Sequence, residues 1–358
     1  MKLYLSIWIY IFVLLSCTSR EQLNTESSHF SFDVDERLFT AHAFINVGGY
    51  DLEYNDSGMH PIRHEIRALL KATLPESYQD SIQSYYNSHE HYLGMYGTYA
   101  FTLSSPPILK MNFDSVTSSE WITDQIAALP GLDEQLHQFY HRAGISQIWQ
   151  DYRPRLQELN DQFRPHAANA LTDLKTYLKI EETPDPLRRG KIVTAFSPLL
   201  SYFQAFTTTV NGDVYMVFGP QPNAPSPSSY YHETAHHFID PIVQSHPDDL
   251  EPLTALFDLA DNCSTCIGYS YPEESLVRTI DIILTGRLYQ FSEDRVRQSI
   301  DQEYRLGFIL CPYFYENLPA FEESGENLAE YFPILLAGID IDREIQRWQD
   351  FWNTQETR

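Results

Sequence analysis

An α+β fold, mostly helical, is what these 358 residues predict, with a short β-hairpin or sheet set just ahead of a helix carrying "YYHETAHHFIDP". Three observations lead there. Apolar residues recur at helical spacing through most of the chain. The clearest pair of β-like stretches is joined by Asn211-Gly212, the pair preferred in a two-residue type I′ turn. After that hairpin, two histidines fall four residues apart with a glutamate directly behind the first.

The first element is not fold. Residues 1–17, MKLYLSIWIYIFVLLSC, have one basic residue, Lys2, an apolar run from Leu3 to Leu15 and a small residue before the cysteine, the pattern of a secretory signal. The run is shorter than the ~20 residues a membrane span needs. Leu14-Leu15-Ser16-Cys17 resembles the bacterial lipobox, which implies that Cys17 is acylated and becomes the mature N-terminus. No acid follows Cys17, which in such lipoproteins favours the outer membrane. Residues 18–31 are polar and without periodicity, and read as a flexible tether.

From residue 32 to about 185 the pattern is a mainly helical region. "DERLFTAHAFINVGGYDLEY" starts as a helix and breaks at Gly48-Gly49. "HPIRHEIRALLKATLP" carries Ile62, Ile66, Leu69 and Leu70 on one face and stops by Pro75. "SSEWITDQIAALP" has Ser118 and Ser119 as cap candidates. The long run from Leu132 to Ile180 reads as helices divided at Pro154. "EETPDPLRRGK" is a charged, proline-bearing connector, so a boundary is expected near residues 181–190.

Residues 186–358 form the second region, one compact unit with the first being the alternative. "KIVTAF" and the hairpin "FTTTVNGDVYMVFGP" supply strands; a proline-rich loop follows, and Ser228 or Ser229 caps the next helix. That helix is expected to end or kink near Asp240, before Pro241, and to bury Tyr231, Ala235, Phe238 and Ile242. The remainder, from Leu250 to Trp352, reads as helices between proline-rich or cysteine-bearing turns.

The bulk charge narrows the partners. Acidic residues number 49 against 24 basic ones, a net charge of −25, and such a surface repels phosphate backbones, so nucleic acid is excluded as an expected partner. Beyond the leader no stretch is apolar enough to cross a membrane, and Cys263, Cys266 and Cys311 remain after Cys17. A disulfide between Cys263 and Cys266 is the preferred expectation, with pairing to Cys311 open.

His232, Glu233 and His236 carry the chemistry. On a helix, positions i and i+4 share a face, so both imidazoles can reach one zinc ion at roughly 2.0–2.1 Å. Glu233, about 100° around the axis, sits beside the metal, where it can accept a proton from metal-activated water. Two other histidine pairs share this spacing, His60 with His64 and His137 with His141, and both are read as exposed helix residues. A third ligand is sought in "YSYPEESLVRTIDIILTGRLY", a helix with Pro272 in its first turn and Leu276, Ile280, Ile283 and Leu284 as its apolar face. Glu273 and Glu274 lie in that first turn, where acids also complement the helix dipole, and Arg278 stands four residues after Glu274.

HETAH on one helix and glutamate on a second resembles the layout of gluzincin metallopeptidases. More narrowly, a hairpin, HETAH and then E-S-L-V-R-T about forty residues on resemble a family of exported bacterial proteins, mostly lipoproteins, of unknown function with a gluzincin-type site. Glu274, Leu276, Val277 and Arg278 match its second motif, with Thr279 where alanine is usual, and the similarity extends to "LFTAHAFINVGGYDLEY". The resemblance implies a zincin-like core, His232, His236 and Glu274 as ligands of Zn2+, and Glu233 as general base. It implies a zinc-dependent hydrolase acting on a peptide or protein substrate, in the cell envelope and tethered to the membrane through Cys17. The alternative is a non-catalytic envelope lipoprotein that binds a surface or nutrient partner, its HExxH relict or structural. Tyr230, Tyr269, Tyr271, His237 and Arg278 are the candidates for stabilising an oxyanion, and "DVYMVF" is the strand expected to pair with substrate.

Overall fold

The computed structural model describes residues 30–89, 92–111, 120–180, 190–220, 227–260 and 270–356. The leader, Cys17, Ser118, Ser119, most of the expected connector, Tyr269, Cys263 and Cys266 lie outside these residues.

The described residues open with strand β1 (Phe30–Phe32), so Phe30 and Ser31, read as the end of the tether, belong to the sheet. Helices α1 (Glu36–Gly48), α2 (Pro61–Thr73), α3 (Glu76–Ser88), α4 (Leu93–Thr102), α5 (Glu120–Ala128), α6 (Leu132–Arg142) and α7 (Ile145–Leu178) follow. Asp35 caps α1 by accepting from the Arg37 and Leu38 amides, and Gly49, at φ +107°, ends it, a left-handed conformation that favours glycine. In α2 Ile62, Ile66 and Leu70 are buried, whereas Leu69 is exposed.

Pro154 does not divide two helices. The break lies at Gly144, which is left-handed between α6 and α7, and α7 continues through both Pro154 and Pro165. Both prolines are on the exposed side, while Trp149, Leu156, Leu159 and Phe163 hold the flanking turns in the core. Each proline therefore removes a ladder donor without removing core contacts.

Three strands follow, β2 (Ile192–Phe196), β3 (Ala205–Val210) and β4 (Asp213–Phe218), giving a mixed four-stranded sheet of order β1-β2-β4-β3. β1–β2 and β2–β4 are parallel, and β3–β4 is the antiparallel hairpin. Asn211 at φ +56° and Gly212 at φ +83° make the turn the sequence predicts. β4 is interior, however, so "DVYMVF" is not an edge; the free edge beside it is β3. The parallel partner β2 comes from a separate segment, and no local pattern reports such pairing.

The sheet's side chains alternate between two apolar clusters. Val217, Phe206 and Val210 join α1–α6 and the start of α7, while Phe196, Val214, Met216 and Phe218 join the rest of α7 and the C-terminal helices. Those are α8 (Pro227–Gln244), the short α9 (Pro247–Leu250) and α10 (Thr254–Phe257), then α11 (Ser270–Leu288), α12 (Glu293–Arg305), α13 (Cys311–Ser324), α14 (Leu328–Ala337) and α15 (Ile341–Glu356). The architecture is α+β and mainly helical. In the last region Pro319 and Pro333 lie inside helices rather than between them.

α8 packs on α7, on α11 and on the β3–β4 hairpin. Tyr231, Ala235, Ile239 and Val243 are buried, with Phe238 and Ile242 partly so. The helix does not end at Asp240: it passes Pro241 and runs to Gln244. On α11 the expected face, Leu276, Ile280, Ile283 and Leu284, is buried.

Candidate functional site

The α8–α11 pairing brings His232, His236 and Glu274 together. The two Nε2 atoms are 3.2 Å apart, Glu274 Oε2 is 3.2 Å from His236 Nε2, and its Oε1 is 3.6 Å from His232 Nε2. Ligand atoms at tetrahedral positions around zinc stand about 3.3–3.4 Å apart, as bonds of 2.0–2.1 Å require. Glu274 meets the two imidazoles through different oxygens, and the group as a whole, two imidazoles and one carboxylate within 4.8 Å of one another, has the donor types that a zinc ion takes.

The surrounding groups fix these donors. His236 Nδ1 is 2.5 Å from Glu273 Oε1 and 3.3 Å from Asp240 Oδ1. Two carboxylates at Nδ1 favour a ring proton there, the tautomer in which Nε2 would be the atom offered to a metal ion. Arg278, one turn along α11, grips Glu274 at 2.6 Å and Glu303 at 2.8 Å, with its guanidinium 4.0 Å from the Phe308 ring centroid. Glu273, read from sequence as a dipole-complementing acid, is thus a partner of His236.

Glu233 is 8% exposed, beside the cluster, and its Oε2 accepts from the Thr207 hydroxyl at 2.7 Å. Thr207 lies on the edge strand β3, so the sheet sets the carboxylate's position. No local signal marks Thr207, whereas Asp240, four residues beyond His236, was legible as a neighbour on the same helix face.

Burial pushes Glu233 up and takes His232 down to about 3. Burial also lowers His236, but bonded Asp240, Glu273 and Glu274 outweigh it and hold the imidazole well above its ordinary value. Glu274 is raised by burial and, more strongly, lowered by His232, His236 and Arg278, so it stays well below the usual carboxylate range. Burial lifts Glu273 to about 8. Glu274 thus carries its charge between two imidazoles and the Arg278 guanidinium, while burial favours the neutral forms of Glu233 and Glu273.

Among the described residues, the other histidine pairs have no such convergence. His60 lies just outside α2 as its cap, its Nδ1 accepting from the Ile62 amide, and His64 packs on the Tyr54 ring. His137 Nδ1 meets the Pro107 and Ile108 carbonyls, and His141 is exposed. Of the oxyanion candidates, Tyr271 is engaged by the Gly307 carbonyl and the Ile309 amide, and Tyr230 is packed against Phe196 and Phe218. Arg278 is bound to its two glutamates. Cys311 is a buried free thiol that donates to the Ser275 carbonyl.

Ser228 does not cap α8, which begins at Pro227. Its hydroxyl donates at 2.7 Å to Asp281 of α11, whose other oxygen accepts from Thr285 at 3.0 Å. This ties the start of α8 to α11. Burial raises Asp281 from 3.8 to about 7. A carboxyl raised on folding contributes stability that is complete below pH about 4 and is lost as pH rises through 7. Asp281→Asn is therefore expected to stabilise the chain at pH 8 by roughly 2–4 kcal/mol and by little at pH 4. Paired urea titrations at the two pH values measure it; an equal effect at both contradicts the assignment.

Comparison with family models, curated proteins and solved structures finds no match.

Proposed function

We propose that this chain is a zinc-dependent hydrolase of gluzincin type acting on peptides, exported to the cell envelope and tethered there through Cys17. The observation that carries the proposal is the convergence of His232, His236 and Glu274, their ligand atoms within 4.8 Å of one another, beside buried Glu233. The motif resemblance noted in HETAH and E-S-L-V-R-T supports the same reading.

His232 Nε2, His236 Nε2 and a Glu274 oxygen would hold the ion. Zinc supplies Lewis acidity there and brings the pKa of water to around 7. Glu233 takes the proton of the water that adds to the scissile carbonyl carbon, then delivers it to the departing nitrogen as the C–N bond breaks. One water is consumed, and a carboxylic acid and an amine are released. Thr207 holds Glu233 in line for both transfers, while Glu273 and Asp240 keep the His236 proton on Nδ1.

A peptide is the favoured substrate because β3 is an open edge. Val210 and Asp213 flank the two-residue turn and form a hydrogen-bonded pair, as do 208–215 and 206–217 in this register. The backbone N–H and C=O of Thr207 and Thr209 consequently point away from β4, where an extended chain can pair with them, while the Ala205 carbonyl on the same edge accepts from the Tyr92 hydroxyl.

Elemental analysis of the chain from Thr18 after zinc loading and gel filtration tests the proposal. About one zinc per chain, with hydrolysis of unstructured peptides, is expected. No bound zinc removes the hydrolase reading and leaves the binding lipoprotein. Glu273→Ala is expected to weaken zinc binding by about 10–100-fold while leaving the three ligands in place, read by competition with a zinc indicator.

A further inference from the structure

We infer that a tyrosine-walled cavity at the start of β3 is a subsite for a bulky apolar side chain, aromatic or long aliphatic, of an extended peptide paired with that strand. The inference rests on the peptidase reading of the site and names its substrate class.

The cavity has a volume of about 430 Å³, and Tyr50, Leu52, Tyr86, Tyr92, Leu93 and Tyr96 make most of its wall. That exceeds the room a single aromatic side chain needs and falls in the range of small-molecule pockets. Three of the four phenols turn their hydroxyls to the protein. Tyr50 accepts from the Ser201 amide at 3.1 Å, Tyr92 donates to the Ala205 carbonyl at 2.7 Å, and Tyr96 donates to the His89 carbonyl. With those oxygens engaged, Tyr50, Tyr92 and Tyr96 offer ring carbon to the cavity, while Asp51 and Gln204 also line it and make its surface mixed apolar and polar. The Arg63 guanidinium, 4.6 Å from the Tyr50 ring centroid and buried, braces that wall from behind.

Its position links it to the chemistry. Gln204, at the rim, immediately precedes β3, and Tyr92 is bonded to the first residue of the strand. Two residues along the same side of β3, Thr207 holds Glu233. Two residues of strand span roughly 7 Å, so a peptide lying on β3 puts a side chain at the cavity one or two positions from the bond beside Glu233. α4 approaches the strand closely because Gly97 lacks a Cβ, which would collide with the Phe206 ring, and Gly94 lacks one that would collide with the Tyr92 ring. Leu52 and Tyr92 are 46% and 56% exposed, apolar surface that a bound side chain would cover.

Binding to the Glu233→Gln chain tests this without requiring turnover. The probes are fluorescein-labelled hexapeptides of alternating Thr and Val in which one position is Ala, Phe or Trp, read by anisotropy. Phe or Trp is expected to bind about tenfold or more tighter than Ala, from the apolar area buried. Leu52→Trp, at an exposed position, should fill the cavity and erase that preference, and Tyr92→Ala should reduce it. Equal binding of the three peptides, a preference that survives both variants, or no binding at millimolar peptide each overturns the inference. Zinc content and cleavage by the wild-type chain are scored separately. A Phe preference without cleavage sinks the hydrolase reading and leaves the subsite; cleavage indifferent to side chain does the reverse.

Discussion

Glu233→Gln is expected to keep about one zinc per chain and to lower peptide turnover by about 10²–10⁴-fold, the usual contribution of a positioned general base. Glutamine preserves the shape and still accepts from the Thr207 hydroxyl, which now reaches Glu233 Oε2 at 2.7 Å. It loses only the ability to take a proton. Because the carboxylate is 8% exposed and pushed up by burial, removing its charge should leave the thermal midpoint unchanged or higher. Turnover and zinc content measured on one preparation decide the matter. Retained turnover would exclude Glu233 as the base; lost zinc would make it part of the metal shell instead.

Glu274→Ala acts on the other half of the site. The carboxylate faces both Nε2 atoms and is also gripped by Arg278, so its loss removes a ligand and leaves Arg278 with Glu303 alone. Zinc affinity is expected to fall by at least about 100-fold, more than for an outer partner such as Glu273. The metal-free variant should also lose about 3 kcal/mol, the low end of the cost of removing one partner of a buried pair, since Arg278 keeps Glu303. Isothermal titration with zinc and urea denaturation give the two numbers. Zinc affinity within a few-fold of wild type would show that Glu274 is a partner of Arg278 and not a ligand. In that case Asp240 and Glu273, which meet His236 through Nδ1, would be the acids to test next.

The two variants separate functions that share one small volume. Glu233 comes from the same helix as the histidines but is held by a strand; Glu274 comes from another helix and is held by its own Arg278. A single substitution that removed both zinc and activity would not distinguish them, whereas this pair does.

Much of this was legible in the chain itself. The type I′ hairpin turn at Asn211-Gly212, the apolar face of α11, the Glu274–Arg278 pair and the shared face of His232 and His236 all follow from periods of 2 and 3.6 and from turn chemistry. They are local, each set by residues within a few positions. Where local rules failed, burial overrode them. Pro154, Pro165 and Pro241 sit inside helices because flanking turns are anchored in the core, and Leu69 is exposed because α2 has less to cover than its sequence offers.

Tertiary structure alone decided what surrounds the motif. That β4 is interior and β3 the edge depends on a parallel pairing with β2, which no turn enforces. That Thr207 holds Glu233, that Glu273 and Asp240 share the Nδ1 of His236, and that Tyr92 reaches β3 are contacts between segments far apart in sequence, apart from Asp240. The sequence by itself determined which groups lie on one helix face and so which chemistry is within reach. Only packing of α4, β3, α8 and α11 determined their distances, because hydrophobic burial is non-directional and sets inter-element geometry through the whole core at once.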